Sequence, residues 1–179
     1  MKFYDLMDVP HNKDTRCIDI AFLQEKLPNT PLTILKQVYS DHGRNIDFQD
    51  QYADLDLSVI EWSLEEIPAT EITGSSFYPG FSTWFQGVSQ RTLQFVSKGW
   101  NCIDVRPQVI EHWKENSTWV EPPVIFSNSV YTIGSNFHLV EGHTRVALLK
   151  GLVESAILPE NSGHKIWVGR ASSSQLTEA

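Results

Sequence analysis

Glu141, Gly142, His143, Thr144 and Arg145 place a carboxylate, an imidazole, a hydroxyl and a guanidinium around one glycine. They lie where an apolar run, Phe137 to Val140, gives way to a helical pattern that reads as ending at Gly151. A glycine at such a point permits a sharp turn and lets a ligand approach the main chain closely. A helix that starts at Thr144, or one residue earlier, leaves the N–H groups of its first turn without intrahelical acceptors. Those donors suit a phosphate, with Arg145 adding a charged fork and His143 or Thr144 adding directional hydrogen bonds.

Catalysis would ask more of the same residues. Glu141 is the nearest carboxylate and Glu121 a second; His143 has the right chemistry for an acid or base near neutral pH. A carboxylate beside a phosphate repels it unless it binds a metal or accepts a proton. A purely local reading stands beside this one: Glu141 and Arg145 form an ion pair, while His143 and Thr144 cap the helix. The stretch is not a Walker loop, because it has neither the glycine-rich run nor the Lys-Ser or Lys-Thr pair. The histidines at 11, 42, 112, 138, 143 and 164 show no HExxH-like spacing, so no metal ligand set is expected.

The elements that must hold this junction are an apolar strand before it and an apolar helix after it. Val146 and Leu149 share a helical face, Ala147 permits close approach, and Leu148 supplies a second surface. Upstream, Val130 to Ile133 and Phe137 to Val140 flank Gly134, Ser135 and Asn136 and read as a hairpin, with Val124 to Phe126 as an earlier strand. Val153 to Leu158 and Ile166 to Val168 read as later strands around a polar loop, Glu160 to His164. A helix over Thr83 to Lys98, with Phe85, Val88, Leu93 and Val96 on its buried face, is stopped by Gly99. Another runs from Pro107 to about Lys114.

Nearer the N-terminus, Ile18 to Lys26 reads as a helix with Asp19 at its start, and Leu32 to Tyr39 as a helix or strand. Residues 41–57 are acidic and turn-rich and read as an exposed connection or negatively charged face, with acidic mimicry of nucleic acid as the sharper alternative. Ser63 and Glu66 have the spacing of a capping box or short turn. ITGSSFYPGFSTW, residues 72–84, mixes glycine, proline and aromatics as an irregular loop does, and such a loop either closes over a core or clamps a ligand.

The 179 residues bear a formal charge of −8, held unevenly. Residues 1–66 carry 13 acidic and 6 basic side chains, residues 67–179 carry 9 and 8. Autonomous tight DNA binding is disfavoured by that field, whereas one small nucleotide or a protein partner facing the acidic half is not. A hydrophobic content of 41% predicts a folded chain, and no apolar run is long enough to span a membrane. The acidic N-terminus is unlike a secretory signal, so a soluble cytoplasmic protein is expected. Cys17 and Cys102 read as reduced structural thiols.

Strand, Gly-His-Thr-Arg, helix and Gly151, preceded by EPPVIF and a hairpin, resemble the N-terminal domain of chromosome-partitioning ParB proteins and the wider ParB/sulfiredoxin-like superfamily. Gly142, His143, Thr144, Arg145, Ala147 and Gly151 follow the family's order, and Pro123 to Phe126 resembles its proline-led strand. The resemblance covers roughly residues 84–168. It implies an α+β fold, a mixed sheet with packed helices, over residues 67–170, with residues 1–66 an acidic extension or subdomain and 171–179 a flexible tail. It also implies binding of ATP or CTP with Mg2+, Gly142 bringing the backbone close, His143 and Thr144 touching phosphate oxygens and Arg145 neutralising charge. Hydrolysis or transfer of the terminal phosphate, with Glu141 and His143 as catalytic groups, would follow in an enzyme; a non-enzymatic nucleotide sensor or protein-interaction module is the alternative. A DNA nuclease or DNA-binding regulator fits less well. Sulfiredoxin's reactive cysteine falls at His143 here, so sulfinic-acid reduction is not expected, and the DNA-binding and dimerisation segments that come after this domain in ParB have no counterpart in the sequence.

Overall fold

The computed structural model describes residues 1–132 and 134–172. The described residues form a mixed α+β fold, with a four-stranded sheet in the order β1-β4-β2-β3 and helices packed about it. The chain divides into two compact units: Met1–Ser63 with the residues from Gly169 on, and Leu64–Val168.

In the first unit, α1 (Ile20–Lys26) starts where Asp19 accepts a hydrogen bond from the Phe22 amide at 2.8 Å, as its sequence predicts. Leu32–Ile34 (α2) continues into a π-helical stretch, Leu35–Ser40, which decides the ambiguous segment in favour of helix. The acidic segment is not a bare connection: Asn45 caps α3 (Ile46–Tyr52), whose Phe48, Gln49 and Tyr52 are buried. Phe48 and Tyr52 pack on Phe3, which also meets Tyr39, so this unit has an aromatic core of its own. Its acidic composition conceals a helix that buries three of its seven residues.

β1 (Ile60–Pro68) replaces the capping box or turn expected at Ser63 and Glu66. Its burial alternates as a strand's should, but the phase changes midway. Ile60 and Trp62 are the covered residues in the first half, Glu65 and Ile67 in the second, and the boundary between units falls at the change.

The second unit continues with α4 (Ala69–Thr73), an irregular aromatic stretch with a 3-10 turn at Pro79–Phe81, and α5 (Ser82–Ser89). The helix expected to run unbroken to Lys98 changes to 3-10 geometry over Gln90–Gln94 before α6 (Phe95–Lys98), which Gly99 ends at φ 53°. Phe85 and Val88 are buried, but Leu93 and Val96 are exposed, contrary to the single-face reading. The change begins beside a contact from far along the chain. Gly151 sits directly against the Ser89 carbonyl and the Thr92 side chain, close enough that any β-carbon there would overlap them. The 3-10 winding that begins at Gln90, beside this contact, turns by three residues per turn and carries Leu93 and Val96 off the face of Phe85 and Val88.

α7 (Pro107–Asn116) carries proline in its first turn and buries Trp113. β2 (Val124–Ser127) and β3 (Phe137–Glu141) pair antiparallel, from Ser127 opposite Phe137 to Val124 opposite Glu141. The hairpin partner of β3 is therefore β2 and not Val130–Ile133; Val130 and Tyr131 instead donate to the Ser127 carbonyl in a turn, and Ile133 lies outside the described residues. α8 (His143–Glu154) continues past Gly151, buries residues nearly all round, and is the helix on which α4 and α5 pack. The strand expected at Val153–Leu158 is absent from the described residues: the amides of Ile157 and Leu158 both return to the Leu152 carbonyl as the helix closes. β4 (Gly163–Ala171) contains the expected Ile166–Val168 and completes the sheet. Ala171 and Ser172 belong to ordered structure, Ser172 donating to the Val59 carbonyl at 2.9 Å, and the rest of the expected tail lies outside the described residues.

Candidate functional site

The junction starts with a strand irregularity. Val124 faces Glu141, yet Ile125 faces Leu139, so Val140 is an extra residue on β3 immediately before the turn. Such a bulge bends the strand and re-aims the residues beyond it. Gly142 then takes φ 94° and ψ 24°, left-handed backbone that a β-carbon makes costly. A β-carbon there would also lie 2.6 Å from the Pro123 β-carbon. The two halves of the sequence motif, the proline that leads β2 and the glycine that leads α8, thus touch.

Helix α8 begins at once, its first backbone bond running from Val146 to the Gly142 carbonyl at 3.0 Å. Gly142 offers no side-chain cap, so the amides of His143, Thr144 and Arg145 stand at the positive end of a twelve-residue helix. Glu141, His143, Thr144 and Arg145 are all half-buried.

Arg145 reaches back over the turn. One guanidinium nitrogen donates to the Glu121 carbonyl at 2.6 Å, and the other forms the ion pair with Glu141 that i,i+4 spacing predicts. Glu121 takes part through its backbone, and its side chain is exposed. His143 turns toward the aromatic stretch instead. Its ring centre lies 4.7 Å from that of Phe81 and 6.2 Å from that of Phe77, which stacks on Phe85 at 4.4 Å. The predicted residues are therefore gathered in one place, but in two directions: Arg145 with Glu141 toward β2, and His143 toward residues 77–85.

The arrangement can present backbone donors and a partly neutralised guanidinium to an anion. The Glu141 carboxylate already faces Arg145, so a cation would arrive with the phosphates. Among the described residues no group of three His, Cys, Asp or Glu side chains is placed to hold a metal.

Two further polar clusters lie outside the motif. Buried His138, on β3, has Nδ1 2.9 Å from the Ser76 hydroxyl and its ring 4.5 Å from that of Tyr131; burial holds its pKa down to about 4. A histidine so weakly basic is a poor proton acceptor at neutral pH, which makes this pair a structural tie between β3 and the chain after α4. Buried His164 lies between the hydroxyls of Ser162 and Thr118 at 2.9 and 3.0 Å, and burial again lowers its pKa against the opposing effect of Glu66. Neither cluster has a local sequence signature, because Ser76 is 62 residues from His138 and Thr118 is 46 from His164. In the first unit, an open depression of about 470 Å³ is lined by His11, Asn12, Thr15, Cys17 and Asp19 among others. Asn12 is committed to the turn amides of Asp14 and Thr15, and Asp19 to capping α1.

No helix among the described residues is long and apolar enough to cross a membrane. No family model, curated protein or solved structure matches the chain.

Proposed function

We propose that the Gly142–Arg145 junction recognises the phosphates of a nucleotide of the ATP or CTP class, and that the chain is a ParB-like nucleotide-binding module. The observation that carries this reading is the start of α8: a left-handed glycine with no side-chain cap, three first-turn amides and an arginine beside them. Phosphate oxygens would take those amides and draw the guanidinium from Glu141, exchanging one charge-assisted bond for another. Magnesium, where needed, would enter on the triphosphate.

Binding without turnover is the better-supported form of the proposal. Glu141 is tied to Arg145, and His143 is packed against Phe81. Neither stands as an unoccupied base. His143 instead links the phosphate end of the site to residues 77–85, the route by which a bound nucleotide would be sensed.

Titration of ATP and CTP, each with and without Mg2+, tests this directly. Arg145→Ala should weaken binding by about ten- to a hundredfold, the worth of a charge-assisted contact. Glu141→Gln, which removes the anion that competes with phosphate, should tighten it. If no nucleotide binds the intact chain, or Glu141→Gln leaves a measured affinity unchanged, the proposal fails. Product analysis on the same samples separates sensing from hydrolysis.

A further inference from the structure

Aromatic side chains collect on the side of the junction that His143 faces. Phe81 is the one they share: its ring centre lies 4.7 Å from that of His143, 5.7 Å from that of Tyr78 and 6.4 Å from that of Trp84. Gly80 makes room for Tyr78, since a β-carbon there would lie 2.6 Å from the Tyr78 Cε1. Phe77, which also meets His143, stacks on buried Phe85 and ties the group to the core. Trp84, in the first turn of α5, is 45% exposed. The rings grade from core to solvent, and the outermost is an indole.

Two observations say what such a ring meets. Residues 72–90 carry no charged side chain, so this stretch offers nothing of its own to a charged peptide or a lipid headgroup. It is also joined to the start of α8 through His143, whose backbone stands in the first turn of that helix and whose ring packs on Phe81. A nucleotide held there by its phosphates carries a neutral, planar base only a sugar away. Exposed aromatic rings take up bases through their π faces.

We infer that Phe81 and Trp84 form a nucleobase subsite, and that the base it takes is a purine. The inference rests on the reading of Gly142–Arg145 as a phosphate site. Trp84 is the stacking platform, and Phe81, which meets both Trp84 and His143, connects that platform to the phosphate end. A two-ring base covers more of an indole than a one-ring base does, so ATP is preferred to CTP.

The test is titration of the full chain, with Mg2+ present, by ATP, by CTP and by ribose 5-triphosphate, which has the sugar and phosphates but no base. ATP should bind about tenfold tighter than ribose 5-triphosphate, with CTP between them. Trp84→Ala should cost ATP about that tenfold and leave ribose 5-triphosphate unchanged, whereas Arg145→Ala should weaken both. Trp84→Phe keeps a ring and should recover most of the loss, while the tryptophan quenching that ATP causes in the wild type should largely disappear. Trp84 is partly exposed, so both variants should keep the wild-type melting temperature. ATP binding no tighter than ribose 5-triphosphate, or a Trp84→Ala loss equal for the two, overturns the base subsite and leaves the phosphate reading standing. CTP bound as tightly as ATP overturns the choice of purine. If neither ATP nor ribose 5-triphosphate binds, the phosphate reading fails and the base subsite with it.

Discussion

The Gly142–Arg145 junction and the Ser82–Lys98 stretch lie in the same unit, and each is bounded by a glycine with positive φ. At the junction, adjacent residues satisfy one another: Arg145 finds Glu141 four positions away, and α8 starts where the glycine permits. Along the helical stretch the local pattern misleads. Four apolar residues that suit one α-helical face are split into a buried pair and an exposed pair by 3-10 winding that begins where Ser89 meets Gly151 of another helix. Local chemistry can be read from the chain when its partners are local, and a helical register cannot when a distant close contact sets it.

Glycine replacement should separate these two cases most sharply. Gly142→Ala forces a side chain into left-handed backbone and onto Pro123, with an expected cost of about 3 kcal/mol. Gly151→Ala meets a buried carbonyl from α5 and the Thr92 side chain; after the gain in helix propensity it should cost about 2 kcal/mol. Chemical denaturation measures both. A neutral Gly151→Ala would show that the close approach does not set the register of residues 90–98.

Acid should act on the strand side of the junction with a comparable upper bound. Unfolded His138 takes up a proton near pH 6.5, whereas folded His138 resists until about pH 4. Between these values the unfolded chain binds more protons, so stability falls as pH falls through this window, by at most about 3 kcal/mol. Denaturation midpoints from pH 7 to 4 should show this slope, and His138→Gln should reduce it, leaving the smaller part due to His164. An unchanged slope would remove His138 as its source.

The same division explains what the sequence made legible. The Asp19 cap, the Pro107 start of α7, the Gly99 stop and the strand-glycine-helix junction each depend on a few neighbouring residues. The pairing of β3 with β2, the α3 helix beneath an acidic composition, and the Ser76–His138 tie depend on partners the chain brings together only by folding. For the candidate site, the cluster of Glu141 through Arg145 was readable. The different directions taken by Arg145 and His143 were not, since Pro123, Glu121 and Phe81 decide them.

The smallest expected effect tests the register itself. If Phe85, Val88, Leu93 and Val96 shared one buried face, truncating any of them would leave a cavity and cost on the order of 2 kcal/mol or more. In the observed arrangement Leu93 and Val96 touch solvent, so Leu93→Ser and Val96→Ser should each change stability by no more than about 0.5 kcal/mol. Val88→Ala, on the buried side of α5, is the internal control and should remain costly. Measured by chemical denaturation, equal losses at Val88 and Val96 would restore the continuous helix and erase the exposed face. A large loss at Val88 beside near-silence at Val96 would establish that the helix turns at Ser89, under the contact that Gly151 makes possible.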